Sequence, residues 1–131
     1  MIRLISALLL LASPLAAERI LTPEEFDAIS RGQTQYFYQD GEFYGAEQFN
    51  ENQESIWMFS NGDCTKGYWY PEEDFICFQY ETPDFPQCWL MIEKDNGDIV
   101  ARLLQSEPEY DIVLEFRNRD PLPCGGPEVG V

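Results

Sequence analysis

The sequence predicts a mainly β domain, built as an eight-strand antiparallel meander with one short N-terminal helix. Three hairpin dipeptides, Asp40-Gly41, Asn61-Gly62 and Asn96-Gly97, separate short segments rich in aromatic and β-branched residues. Such dipeptides tolerate the positive φ angles of the turns that join antiparallel strands. The connections are too short for the crossover helices that a parallel sheet needs. We therefore expect a small up-and-down barrel or a strongly curved sheet, with a two-sheet sandwich as the alternative.

The first 17 residues have the pattern of a secretory signal peptide. Arg3 supplies a positive start, residues 4–12 form a short apolar run, and small residues lead to Ala17. The run is about half of the roughly 20 apolar residues that a membrane helix needs. We expect cleavage after Ala17 and an exported product without membrane insertion, either periplasmic or secreted.

A single helix is predicted at about 22–31. Thr22 can cap its first turn, Pro23 suits the first helical position, and Glu25 completes a capping box. Gly32 follows as a natural stop. All these signals agree on one short helix before the strands.

The strands and turns divide residues 18–131 into one β-rich domain at 18–120 and a Pro/Gly-rich tail at 121–131. The predicted strands are 34–39, 42–50, 55–60, 64–70, 75–81, 87–94, 98–105 and 111–117. In the last strand, alternation places Ile112, Leu114 and Phe116 on one face. The apolar runs 56–59 and 89–92 need cover on both faces.

Four cysteines in a small exported domain indicate two disulfides. A four-residue hairpin loop sets Cys77 opposite Cys88, which favours that pair and leaves Cys64–Cys124 to hold the tail. The alternative, Cys64–Cys77 with Cys88–Cys124, stays open. The 12, 10 and 35 residues between successive cysteines do not match the close pairs of zinc sites. We predict no metal and no cofactor.

Charge and the absence of histidine exclude several classes of function. Residues 18–131 hold 7 basic and 24 acidic side chains, a formal charge of −17. Nucleic acids and anionic membranes are poor partners for such a surface, whereas basic proteins or other cations are favoured. Without histidine, Ser-His-Asp and Cys-His catalysis are excluded. We predict a monomer that is not an enzyme.

Aromatic residues are the main candidates for a binding surface. Sixteen of the 19 lie between Tyr36 and Trp89. They can line a cup for a sugar or another flat apolar ligand, although a barrel interior filled by its own side chains is the favoured interpretation. The candidate binding surface comprises Tyr36, Tyr38, Tyr44, Lys66, Tyr68, Trp69, Tyr70 and Trp89.

Other motifs carry simpler structural interpretations. Gly67-Tyr68-Trp69 is a G-x-W tripeptide like that of lipocalin-type barrels, and we interpret its glycine as making room for a large neighbour. The acids at 72–74 and 107–109 could bind calcium or serve a hydrolase, but they are expected to be solvated turn residues.

Two resemblances accompany these patterns. The segments "GQTQYFYQDGEFYGAEQF", "W.FSNGDCTKGYWYPEEDFICF.YE" and "QCW" resemble a group of small exported alphaproteobacterial proteins, which implies a β-rich module but no activity. Thr65-Lys66-Gly67 resembles a segment of periplasmic inhibitors of C-type lysozyme, which are small disulfide-bearing β-barrels. The main hypothesis is a non-catalytic exported binding or interaction module. An inhibitor of a basic, lysozyme-type cell-wall hydrolase and a carboxylate-based hydrolase are the alternatives.

Overall fold

The computed structural model describes residues 18–124 as a closed antiparallel β-barrel with one α-helix and two short 3-10 helices, Glu51–Gln53 and Pro108–Tyr110. The predicted signal peptide and the end of the tail lie outside the described residues. The elements are β1 (Arg19–Ile20), α1 (Pro23–Ser30), β2 (Thr34–Gln39), β3 (Glu42–Phe49), β4 (Glu54–Phe59), β5 (Cys64–Glu72), β6 (Phe75–Tyr80), β7 (Gln87–Glu93), β8 (Ile99–Leu103) and β9 (Ile112–Asn118). The eight-strand antiparallel prediction is confirmed.

Strands β2 to β9 form the barrel in chain order, and β9 pairs with β2 to close it. Each neighbouring pair is antiparallel, so alternate connections lie at the same end of the barrel. The short strand β1 adds to β7 through the pair Ile20 and Ile92. The up-and-down barrel is thus the correct one of the expected architectures.

Helix α1 begins as its sequence predicts. The Thr22 hydroxyl accepts a hydrogen bond from the Glu25 backbone amide at 3.1 Å, and the Glu25 carboxylate accepts one from the Thr22 amide. Thr22 is therefore the N-cap, and the reciprocal bonds satisfy two amides that would otherwise lack partners. In residues 18–124 no helix is both long and apolar enough to span a bilayer.

The helix closes one end of the barrel. Phe26 is 1% exposed and meets Phe49 and Trp69 edge-on, with ring centroids 5.4 and 5.2 Å away. The Ser30 hydroxyl accepts a hydrogen bond from the Gln35 side chain at 2.9 Å. We call this end, filled by Phe26, Phe49 and Trp69, the plug.

The prediction that Phe116 shares a face of the last strand with Ile112 and Leu114 is wrong. A bulge shifts the register between β2 and β9, so that Phe37 pairs with Leu114 but Tyr36 pairs with Phe116. Phe116 is therefore on the outer face, where its ring stacks on Tyr36 at 4.3 Å. Strict alternation fails here because a bulge places two residues opposite one.

Two disulfides join Cys64 to Cys124 and Cys77 to Cys88. Cys77 and Cys88 are direct partners across the β6–β7 hairpin, as the favoured pairing requires. The other bond fixes the beginning of the tail to the first residue of β5. The Cys77–Cys88 bond therefore joins two neighbouring strands, and the Cys64–Cys124 bond holds residue 124 of the tail against the barrel.

Candidate functional site: a cavity in the open end of the barrel

The barrel holds a cavity of about 390 Å³ between the plug and the opposite end. The end opposite the plug is formed by the connections β2–β3, β4–β5, β6–β7 and β8–β9, and it opens to solvent. Met91, Ala101 and Ile112 contribute the aliphatic part of the wall. The aromatic part includes Phe37, Tyr44, Trp57, Phe59, Tyr80 and Trp89.

Two small residues, Ala101 and Gly45, shape the wall at this end of the barrel. Ala101 lines the cavity and is 1% exposed. At Gly45 a Cβ atom would lie 2.1 Å from Cζ2 of Trp57, so the indole lies directly against the glycine backbone. The favoured interpretation of a filled interior therefore holds for the plug, but not for the open end.

Glu47 is the one acidic residue buried in the cavity wall. Alternation along β3 places it on the inner face with Gly45 and Phe49, and it is 2% exposed. The Tyr80 hydroxyl, which comes from β6, lies 2.9 Å from each of its carboxyl oxygens. The carboxyl group is thus held at the wall by one hydroxyl donor.

Burial raises the pKa of Glu47 to about 8, while the Ser55 and Tyr80 hydroxyls oppose that rise. The buried Ser55 Oγ adjoins the carboxyl group but has no hydrogen-bond partner in the described chain, so we assign the main polar contact to Tyr80. Burial, followed by the adjacent Glu47, also raises the pKa of Tyr80 above its usual range. At neutral pH the Glu47 carboxyl group therefore mostly retains its proton.

The cavity wall carries no cationic side chain among the described residues. Its titratable members are Glu42, Tyr44, Glu47 and Tyr80. Glu42 is exposed at the mouth, which is the end of the barrel opposite the plug, where the cavity opens to solvent. In the described part of the chain, the acid inside the barrel consequently has no counter-ion.

The structure separates the predicted binding surface into four places. Tyr44 and Trp89 line the cavity, whereas Trp69 belongs to the plug. Tyr36 and Tyr38 lie outside the cavity, packed on Phe116 and Phe43. Lys66, Tyr68 and Tyr70 border a broad, shallow groove along β5. These residues do not form one surface.

The segment Thr65-Lys66-Gly67 is largely structural. The buried Thr65 hydroxyl accepts a hydrogen bond from the Thr82 amide at 3.1 Å. A Cβ atom at Gly67 would lie 2.2 Å from the Gln79 carbonyl oxygen and 2.7 Å from Cδ1 of Tyr80, so the glycine makes room for the β6 backbone as well as for a large side chain. Lys66 is exposed and is the one residue of the three available to a partner.

The acids on turns stay in solvent. Glu72, Glu73, Glu107 and Glu109 are all exposed. Within residues 18–124, no group of three acidic or cysteine side chains is arranged to hold a metal ion. The cavity is therefore the more informative site.

Sequence reasoning missed Glu47, Trp57 and Tyr80. A usable signal existed for Glu47, because Gly45 and Phe49 flank it at the alternating positions of an apolar face. An acid at such a position is expensive to bury and therefore often functional.

Comparison of the chain with models of protein families, with curated proteins and with solved structures finds no match.

Proposed function

We propose that this protein is a non-catalytic binding protein, which takes a small apolar ligand into the open end of its barrel. The cavity of about 390 Å³ carries the proposal. Ligand sites typically occupy about 300–1,000 Å³ and combine an apolar, aromatic wall with a few polar groups. Here the aromatic wall and the single buried carboxyl group of Glu47 match that description.

The mouth of the barrel supports entry of an apolar ligand. Several large apolar side chains near it are exposed, including Phe85 at 57% and Tyr110 at 58%. Tyr44 and Phe59 continue this apolar surface from the mouth into the cavity. An apolar molecule would thus find contacts before and after it enters.

We place this binding protein outside the cytoplasm, in the periplasm or the medium. Its two disulfides support this location, because such bonds persist in oxidising compartments. The predicted signal peptide supports it independently.

The binding proposal is tested with the neutral fluorescent probe N-phenyl-1-naphthylamine. Ala101→Leu fills part of the cavity and should weaken probe binding about tenfold or more relative to wild type. Val100→Ile enlarges the neighbouring residue, which points away from the cavity, and should bind like wild type. Near-ultraviolet circular dichroism checks that both variants keep the fold. Equal probe affinity in all three proteins, or no binding to wild type, would reject the proposal.

A carboxylate-based hydrolase is the second candidate, because an acid and a tyrosine hydroxyl converge 2.9 Å apart inside the cavity. A carboxyl group with a raised pKa can protonate a leaving group. Nitrophenyl esters and glycosides provide the assay. Turnover that disappears in Glu47→Gln would favour this candidate, and turnover that is absent or unchanged in the variant would exclude it.

A further inference from the structure

We propose that the ligand carries an amino group, which binds as an ammonium ion to the Glu47 carboxylate inside the barrel. This inference rests on the proposed function and specifies the ligand class. Three features of the cavity lead to it: the unused hydrogen-bonding capacity of Glu47, the absence of a cation in the described wall, and the aromatic rings around the carboxyl group.

The carboxyl group of Glu47 can form more hydrogen bonds than the described chain provides. An ionised carboxylate has about four acceptor positions. The Tyr80 hydroxyl proton can occupy only one of them, although its oxygen lies 2.9 Å from both carboxyl oxygens, and the neighbouring Ser55 hydroxyl could supply at most one more. An ammonium group brings three N–H donors, which suit the remaining positions.

In its ionised form, Glu47 would have no compensating charge in the described wall. The titratable groups around the cavity are acids and phenols: Glu42 and Tyr44 on β3 with Glu47, and Tyr80 on β6. A buried carboxylate is stable only when a cation or several donors accompany it. A cationic ligand would supply both at once.

The aromatic wall favours the same ligand. Trp57 is the cross-strand partner of Glu47, and Tyr80 holds its carboxyl group. Both residues line the cavity. An ammonium ion next to aromatic faces gains a cation–π attraction, which is strongest for tryptophan and increases when water is excluded.

The protein's net charge helps such a ligand reach the cavity. Residues 18–131 have a formal charge of −17, which raises the local concentration of small cations. Phosphates, carboxylates and other anions would meet repulsion at the mouth and an acid within the barrel. The ligand class is therefore an apolar molecule with one basic nitrogen.

Binding of an amine is linked to release of a proton. The free carboxyl group holds its proton up to a pKa of about 8, because burial disfavours its charged form. A protonated amine forms the ammonium–carboxylate pair when the Glu47 carboxyl O–H bond breaks and its proton leaves to solvent, while no bond between heavier atoms forms or breaks. Affinity should therefore rise with pH up to about 8, by up to about tenfold per unit.

The experiment measures displacement of N-phenyl-1-naphthylamine by 2-phenylethylamine and by its neutral isostere, 2-phenylethanol. At pH 8.5 the wild-type protein should bind the amine about tenfold or more tightly than the alcohol. At pH 6.0 the affinity for the amine should fall at least about tenfold. The affinity for the alcohol should change less than about threefold.

Two variants separate the buried carboxyl group from the net charge. Glu47→Gln keeps the shape but cannot become charged, so it should lose both the preference for the amine and its pH dependence. Glu109→Gln removes one exposed charge from the β8–β9 connection, outside the cavity wall, and should retain both. Tyr80→Phe keeps the ring but removes the donor to Glu47, so the pH at which amine binding strengthens should move upwards.

Each outcome decides between the two proposals. If the amine and the alcohol displace the probe equally, or if Glu47→Gln keeps the preference, the amine inference is wrong and the cavity remains a site for apolar ligands. If the preference disappears in Glu109→Gln but not in Glu47→Gln, surface charge explains it and the inference is also wrong. If the probe itself does not bind, the proposed function fails as well.

Discussion

The stability of the protein should depend on pH through Glu47, and Glu47→Gln should remove that dependence. Unfolding returns the carboxyl group to water, where its ordinary pKa is 4.5, whereas burial raises the pKa to about 8 in the folded state. Between these values the folded protein keeps a proton that the unfolded chain releases. Raising the pH across this interval therefore destabilises the fold.

The magnitude follows from the width of that interval. Each pH unit changes the free energy of unfolding by about 1.4 kcal/mol, so the change from pH 4.5 to pH 8 amounts to about 5 kcal/mol. Many domains have only about 5–15 kcal/mol of stability in total. The contribution of Glu47 should thus be measurable beside those of the other acids.

The assay is urea unfolding of wild type and Glu47→Gln at several pH values from 5 to 9, with the disulfides intact. The difference in unfolding free energy should grow in favour of the variant with rising pH and become constant above about pH 8. Glu42→Gln, which removes an exposed acid at the mouth, should not reproduce this slope. A difference between Glu47→Gln and wild type that stays constant with pH would refute the assigned burial.

Two single substitutions and two double cysteine variants test the packing and the cross-links of the barrel. Phe26→Ala should lower the free energy of unfolding by about 3–5 kcal/mol, because it empties the plug; a loss below about 1 kcal/mol in urea unfolding would contradict that role. Gly45→Ala should displace the Trp57 indole and cost about 1–3 kcal/mol, so unchanged tryptophan fluorescence and stability would argue against the close approach. Replacing both Cys64 and Cys124 by serine should lower the free energy of unfolding by about 4 kcal/mol, because that bond joins residues 60 positions apart. Replacing both Cys77 and Cys88 by serine should lower it by about 3 kcal/mol, because the hairpin bond joins residues only 11 positions apart. Urea unfolding of the two double variants would contradict this if the hairpin bond proved the more stabilising.

Local chemistry made most of the fold predictable. The Thr22 cap and the hairpin dipeptides act over a few residues, so the helix and the strand ends follow directly from the sequence. Strand β8 ends earlier than predicted, at Leu103, and Gln105 adopts a positive φ of 68° in the following connection. A residue other than glycine gives little sequence signal for such a conformation.

Long-range features were harder to predict. Closure of the barrel depends on pairing between β2 and β9, which lie more than 70 residues apart in the chain. The two-residue strand β1 has no periodic pattern, and it forms because β7 offers it partners. The bulge that turns Phe116 outward likewise depends on register between distant strands.

The candidate site was likewise predictable in part, because only some of its residues give a local sequence signal. Tyr44 and Trp89 were predicted as binding residues and line the cavity, but the other aromatic candidates are distributed between the plug and the outer face. Aromatic side chains serve equally well as core and as ligand contacts, so composition alone cannot assign them. Glu47 required the three-dimensional pairing with Tyr80 to become visible as part of a site.

Methyl NMR during titration with N-phenyl-1-naphthylamine tests most directly whether the cavity binds a ligand. The methyl groups of Met91, Ala101 and Ile112 line the cavity, whereas those of Val100 point away from it. We predict saturable shifts of the three cavity methyl signals with little change at Val100. Shifts at Val100 or elsewhere on the outer face, with the cavity signals unmoved, would contradict the account.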